Sequence, residues 1–209
     1  MTKTAILVCC IGPYTEPKRD GEEIWAVNTA FRKPTYQKGI DRLYVMDSLD
    51  TWAELDYKDQ TFVEQVNALN CPIVTLAHFP EVPQSRAFRK REIESAFNTK
   101  YWGSGISYMI ADALYDGYEK IVLHRTNSLV GSKEYWIQKG CHDFWCGYAM
   151  GMGVEIVTSD DSYLMKNHPW CAPEYGYTRS IHENKANIML RDTLQAIVKM
   201  PIEIQGVTY

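Results

Sequence analysis

No stretch of this 209-residue sequence strings together enough apolar residues to cross a membrane. Its opening, MTKTAILVCC, lacks the basic region, long hydrophobic region and cleavage site of a secretory leader. It reads instead as a first strand, and the expected location is the cytoplasm. Paired cysteines of the metal or redox kind are missing too. Cys9, Cys10, Cys71, Cys141, Cys146 and Cys171 form no CxxC pair and no zinc-type spacing, so reduced, mostly buried thiols are expected. Positive charge is scarce: 22 Lys and Arg against 26 Asp and Glu leave a formal net charge of −4. A protein that lives on a phosphate backbone normally carries a basic patch. The one basic cluster, RAFRKRE (Arg86 to Glu92), reads as a solvated helix start.

The common catalytic signatures are absent as well. There is no three-glycine dinucleotide fingerprint and no Walker pattern, which argues against an ordinary dehydrogenase or kinase. No GxSxG elbow occurs. The five histidines, His78, His124, His142, His168 and His182, show no HxH or HxxxH spacing, so no metal site is expected.

What the sequence does have is core material. It is 45% hydrophobic and 12% aromatic, with fourteen Tyr and six Trp. These rings suit a core, and they suit stacking on a sugar or base. Six short apolar runs follow one another: Thr4–Cys10, Glu23–Asn28, Asp41–Asp47, Cys71–Ala77, Lys120–His124 and Val154–Thr158. Brief, continuous runs of this kind are strands buried on both faces, the mark of a parallel sheet between helices. Helical periodicity fills gaps at Asp59–Asn70, from Ser104 onward, at Lys133–Gly151 and at Lys185–Lys199. The spacing predicts an α/β fold: one Rossmann-like domain over residues 1–209, its mainly parallel sheet sandwiched between helices. The sheet would occupy about residues 4–165, with an irregular loop (Asn167–Asn184) and a final helix closing the chain. The apolar face of that helix serves either the core or a second subunit of a homo-oligomer.

In an open parallel sheet ligands bind beyond the carboxyl ends of the strands. That rule nominates the CCIGPYTE stretch with Gly12 and Pro13 after the first strand, Asn28-Thr29 after the second, and Asp47-Ser48, with the nearby carboxylate Asp50, after the third. It adds Gly103-Ser104-Gly105 before the fifth strand and His124-Arg125 at its end. Backbone amides at Gly12 and at Ser104-Gly105 suit an anion, with a helix dipole behind the second group. Ser104 reads equally as an N-cap, and Asp47 and Asp50 as caps of the next helix.

The runs EEIWAVNTAFRK, DRLYVMDSLDTW and WGSGISYMIADALYDGYEKIVLH, in this order, resemble the Rossmann-like group that holds the bacterial sialyltransferases of glycosyltransferase family 42. They also resemble its relatives, the pterin pyrophosphokinase-like proteins and short uncharacterised phage proteins. The resemblance spans roughly residues 4 to 165. It implies that Asn28 and Ser104-Gly105 contact an activated nucleotide sugar. Gly12 and Pro13 match the family's Gly-Pro loop, and Asp47 takes another donor-contacting position. Three departures stand out. No Asn precedes Gly12-Pro13, the fifth strand ends LHRTN rather than in Gly-x-Asp, and no histidine stands near Tyr135-Trp136, where the family's catalytic one is expected.

The expected function is therefore a nucleotide- or nucleotide-sugar-binding transferase, foremost a small glycosyltransferase of phage type. Arg125 would stabilise charge on the nucleotide leaving group, and His124 or His142 would deprotonate an acceptor hydroxyl. The acceptor stays open between a small molecule, a glycan and a modified DNA base. One alternative is a protein that binds a nucleotide or signalling molecule without turning it over. The other is a pyrophosphokinase-like phosphotransferase, the single reading that calls for a cofactor, Mg2+.

Overall fold

The computed structural model of the protein describes residues 2–11, 21–32, 39–48, 51–52, 62–126, 133–160, 162–166, 203–204 and 207–208. The chain divides into two compact units, Met1–Met165 and Lys166–Tyr209. In the first, β1 (Thr4–Ile11), β2 (Glu23–Val27), β3 (Arg42–Val45), β4 (Ile73–Thr75), β5 (Ser85–Ala87), β6 (Lys120–Thr126) and β7 (Glu155–Thr158) form one sheet. Their order is β5-β4-β3-β2-β1-β6-β7, with every neighbouring pair parallel. The described helices are α1 (Phe62–Asn67), α2 (Lys90–Phe97), α3 (Gly105–Tyr115) and α4 (Lys133–Gly151), and a 3-10 turn spans Asn28–Arg32. This is a Rossmann-like α/β unit.

The sheet is buried on both faces because its strands are apolar at successive positions. Ala5, Leu7, Trp25, Tyr44, Ile121 and Leu123 enter one core with Met109 and Ile110 of α3 and Trp145 of α4. The alternate residues Ile6, Val8, Ile24, Ala26, Leu43 and Val45 enter a second core with Phe31, Trp52, Phe62 and Val66. Each fully buried side chain of leucine size contributes about 2 kcal/mol, so the two cores jointly hold the strands in register. Cys9, Cys141 and Cys146 are buried free thiols, and Cys10 and Cys71 are half-buried.

One strand and one charge cluster depart from expectation. β5 is a three-residue edge strand whose Arg86 and Ala87 are exposed, so no apolar run announces it. The basic cluster does not simply open a solvated helix: Arg86 belongs to β5, and Arg89 turns inward. Arg89 Nη2 donates to Asp112 Oδ1 and, at 2.7 Å, to Asp116 Oδ1. From β3, Arg42 Nη1 donates to the other oxygens of the same two carboxylates at 2.9 and 3.0 Å. Tyr44 Oη completes the cluster, donating to Asp112 Oδ2 at 2.5 Å. Arg42 also lies over the Trp25 ring, 3.9 Å from its centroid.

Among the described residues no helix is long and apolar enough to cross a membrane. In the second unit the described part is an antiparallel pair, Glu203–Ile204 with Val207–Thr208. The loop expected over Asn167–Asn184 and the helix expected over Lys185–Lys199 lie outside the described residues.

Candidate functional site

The strand order reverses at β1, which has β2 on one side and β6 on the other. In sheets of this kind the crevice for a ligand opens at that switch point, outside the carboxyl ends of the strands. Gly12 and Pro13, which follow β1, and Asp50 lie outside the described residues. The residues that can be followed form a chain of contacts across the ends of β2, β1 and β6.

Asn28 leaves β2 with a φ of 48°. It is half-buried and opens the 3-10 turn. Asparagine is one of the few residues that tolerate this left-handed conformation. Cys10 Sγ lies 3.5 Å from the Val27 carbonyl oxygen and 3.7 Å from Thr29 Oγ1, tying the end of β1 to this turn. On the other side β1 and β6 slip in register. Val8 pairs with His124 but Ile11 with Thr126, so Cys9 and Cys10 together oppose Arg125 alone. This is a β-bulge, a device that bends a strand and re-aims a side chain. Arg125 takes it up with a φ of 59°. Its buried guanidinium donates from Nη2 to the Cys10 carbonyl at 3.2 Å. Thr126 follows, 2% exposed, and its Oγ1 has no hydrogen-bond partner among the described residues. Left-handed backbone is uncommon in residues other than glycine, and two such residues stand at the ends of β2 and β6, the strands on either side of β1.

The third element is the start of α3. Ser104 is its N-cap, with Oγ accepting from Ser107 N at 3.3 Å. The two flanking glycines are required by packing. A β-carbon on Gly105 would sit 2.6 Å from Val27 Cγ2, and one on Gly103 would sit 2.9 Å from Cys141 Cβ. Gly105 thus lets α3 approach the residue before Asn28, and Gly103 lets α4 approach the cap. Across that second contact His142 Nε2 lies 2.5 Å from Ser104 Oγ. Behind them Ser107 Oγ meets Cys141 Sγ at 2.9 Å, and Cys141 and Trp145 both donate to the Tyr101 carbonyl. His142 is 2% exposed, and burial pushes its imidazole down to about 4, with the nearby Asp143 pulling the other way. The ring is therefore neutral at pH 7.

Asn28, Ser104, Gly105, Arg125 and His142 are thus linked through Val27, Cys10 and Cys141, with Gly103 beside them. His124 is half-buried in β6, opposite Val8. Asp47 lies two residues past β3, where its carbonyl accepts from Trp52 Nε1 at 3.0 Å. Ser48 rather than Asp47 caps the next turn, accepting from Thr51 N at 3.2 Å. Sequence reasoning nominated Cys10, in the stretch that ends β1, and Thr29 beside Asn28, but overlooked Thr126. Cys10 was visible as the last residue of an apolar run, whereas Thr126 was hidden because the fifth run appeared to end at His124. Among the described residues no group of three or more His, Cys, Asp or Glu side chains is placed to hold a metal ion.

No family model and no curated protein matches the chain. Solved structures do. The sialyltransferase CstII from Campylobacter jejuni in complex with cytidine-5′-monophosphate is 14% identical, with a TM-score of 0.50 over 78% of this chain and 82% of that one. An α-2,3-sialyltransferase from Campylobacter jejuni in apo form is 15% identical, with a TM-score of 0.48 over 93% and 95% of the two chains. Monofunctional α-2,3-sialyltransferase Cst-I of the same organism is 13% identical, with a TM-score of 0.48 over 92% and 96%. The likeness to the CstII complex is one of fold.

Proposed function

We propose that the carboxyl edge around β1 binds a nucleotide or nucleotide-activated sugar, and that the protein is a small glycosyltransferase. The observation that carries this reading is the contact chain joining Asn28, Ser104-Gly105 and Arg125 at the switch point, where the fold class places nucleotides. We assign the base and ribose to the left-handed Asn28 turn and to Asp47. The amides of Ser104 and Gly105 and the positive end of the α3 dipole face the phosphate. Arg125, held rigid by the bulge, offsets charge on the departing nucleotide; fixed positive charge of this kind is usually the largest catalytic contribution. The donor chemistry is suggested by the CstII neighbour, whose complex holds cytidine-5′-monophosphate.

A panel of nucleoside monophosphates and sugar nucleotides in thermal melting tests the reading. At least one ligand is expected to raise the melting temperature, and the matching sugar nucleotide is then expected to be hydrolysed slowly in the absence of acceptor. No shift from any member would overturn it. A second reading, binding without turnover, is favoured by one observation. His142 is buried with Nε2 against Ser104, which leaves the half-buried His124 as the base candidate for an acceptor hydroxyl. Recovery of the sugar nucleotide intact after prolonged incubation, checked by mass spectrometry, would decide for that reading.

A further inference from the structure

His142 cannot reach a ligand directly, but it touches a residue that can. Ser104 Oγ has one proton and two lone pairs to place. One lone pair accepts from Ser107 N at 3.3 Å, and His142 Nε2 lies on the same oxygen at 2.5 Å. A neutral imidazole carries its proton on Nε2 or on Nδ1, and the choice decides what Ser104 can do. With Nε2 bare, the serine proton is consumed by the imidazole and the hydroxyl turns acceptor-only toward the crevice. With Nε2 protonated, both lone pairs are filled from the protein and the serine proton is left to donate. Ser107 Oγ, buried at 3.0 Å, is the competing acceptor among the described residues, and rotation of one hydroxyl moves the proton from it to a ligand.

We infer that His142 is a positioning residue: its Nε2–H donates to Ser104 Oγ and thereby presents the Ser104 proton to an anionic group of the ligand. The inference rests on reading the carboxyl edge as a nucleotide site, where the anionic group is a phosphate. Thr126 supplies an independent sign of a polar ligand at that edge, its buried hydroxyl lacking a hydrogen-bond partner among the described residues. A general-base role suits His142 less well. A base works best with a conjugate acid near the operating pH. With its imidazole held at about 4, about one ring in a thousand is protonated at pH 7. A ring that stays neutral keeps one donor and one acceptor nitrogen, and so one fixed hydrogen-bond pattern, over the whole working range.

Two measurements on the full chain test this. Nitrogen-15 spectra of the histidine side chains separate the two tautomers, and His142 is expected to show a protonated Nε2. A protonated Nδ1 with bare Nε2 would overturn the inference, whatever binds. Titration with cytidine-5′-monophosphate and with cytidine then compares the same base and ribose with and without the phosphate. His142→Ala is expected to weaken the monophosphate by about three- to tenfold, the worth of one well-made hydrogen bond, and to leave cytidine unchanged. His142→Gln, which retains an N–H donor, is expected to recover most of the loss. Equal weakening of both ligands, or none of either, would overturn the inference while leaving the nucleotide reading in place. A wild-type protein that binds neither ligand, nor any other nucleotide of the panel, would remove the reading and the inference together.

Discussion

At its C-terminal end α3 carries two carboxylates, Asp112 and Asp116, where the helix dipole already concentrates negative charge. Arg42, Arg89 and Tyr44 close around them, and Asp112 is 1% exposed. At the N-terminal end the first turn carries no acidic side chain, and the groups gathered there, Ser104, Ser107 and His142, are uncharged. One end answers every charge with a counter-charge from the protein. The other keeps the positive end of the dipole clear of any carboxylate of its own first turn. A helix built this way is anchored through one end, while the other suits the anion site we propose.

The largest effect that can break this comparison comes from the anchored end. Asp112→Ala leaves Arg42 and Arg89 facing each other across a half-emptied buried cluster. Removing one partner of such a cluster costs about 3–5 kcal/mol, which urea unfolding would read directly. Any nucleotide-induced rise in melting temperature should persist in the variant, measured from its own lower baseline. A loss of stability under about 1 kcal/mol, the range of exposed ion pairs, would show that the cluster does not anchor the helix.

Acid separates the two ends. The His142 imidazole is held at about 4 by burial, against 6.5 for a free ring. Between those values the unfolded chain binds a proton that the folded one does not, so stability falls as pH is lowered through that window. The interval corresponds to roughly 3 kcal/mol. At the other end burial raises the Asp116 carboxyl, but hydrogen bonds from Arg89 and Arg42 prevail and hold it below its ordinary 3.8. Its contribution is present above that value and is lost as pH drops beneath it. Unfolding curves of wild type and His142→Gln should therefore converge near pH 7 and separate by pH 4, with the variant the less acid-sensitive. Parallel curves throughout would mean that His142 does not titrate with the fold.

Packing at the N-terminal end gives a smaller effect. Gly105→Ala places a methyl group 2.6 Å from Val27 Cγ2, and overpacking of this kind costs about 1–3 kcal/mol. Combining it with Val27→Ala should return about 1 kcal/mol of favourable coupling in a double-mutant cycle. Strict additivity would show that the close approach of α3 to β2 is not what demands glycine.

The same contrast explains what was legible in the residues alone. The two-sided sheet was, because Ile6, Leu7 and Val8 or Leu43, Tyr44 and Val45 are apolar on both faces. Lys133–Gly151 could be read to its ends because its apolar residues recur at helical spacing through Gly140 and Gly147. The charge cluster was not read, although Asp112 and Asp116 stand four apart in a largely apolar helix, a signal that could have been used. β5 offers no such signal, since an exposed three-residue edge strand needs no apolar run. Arg125 is the instructive case. The strand was expected to stop at His124, and no residue type announces an arginine that turns left-handed and lets the strand resume at Thr126. Bulges are set by the register of the neighbouring strand, which belongs to the fold rather than to the local sequence.

The smallest effect on stability gives the sharpest test of function. Asn28 and Asn98 share a φ of 48°. Asn98 is the left-handed C-cap of α2, a position at which the backbone explains the residue. Glycine adopts the same conformation without strain, so Asn28→Gly and Asn98→Gly should each change stability by only a few tenths of a kcal/mol, ~0.3 in the favourable direction. They should differ in ligand response. Asn98→Gly is expected to keep the full nucleotide-induced rise in melting temperature, and Asn28→Gly to lose most of it, because of the two only Asn28 belongs to the site we propose. Two variants that respond alike would reduce Asn28 to a second backbone cap, and would take from the carboxyl edge the residue that reads the base.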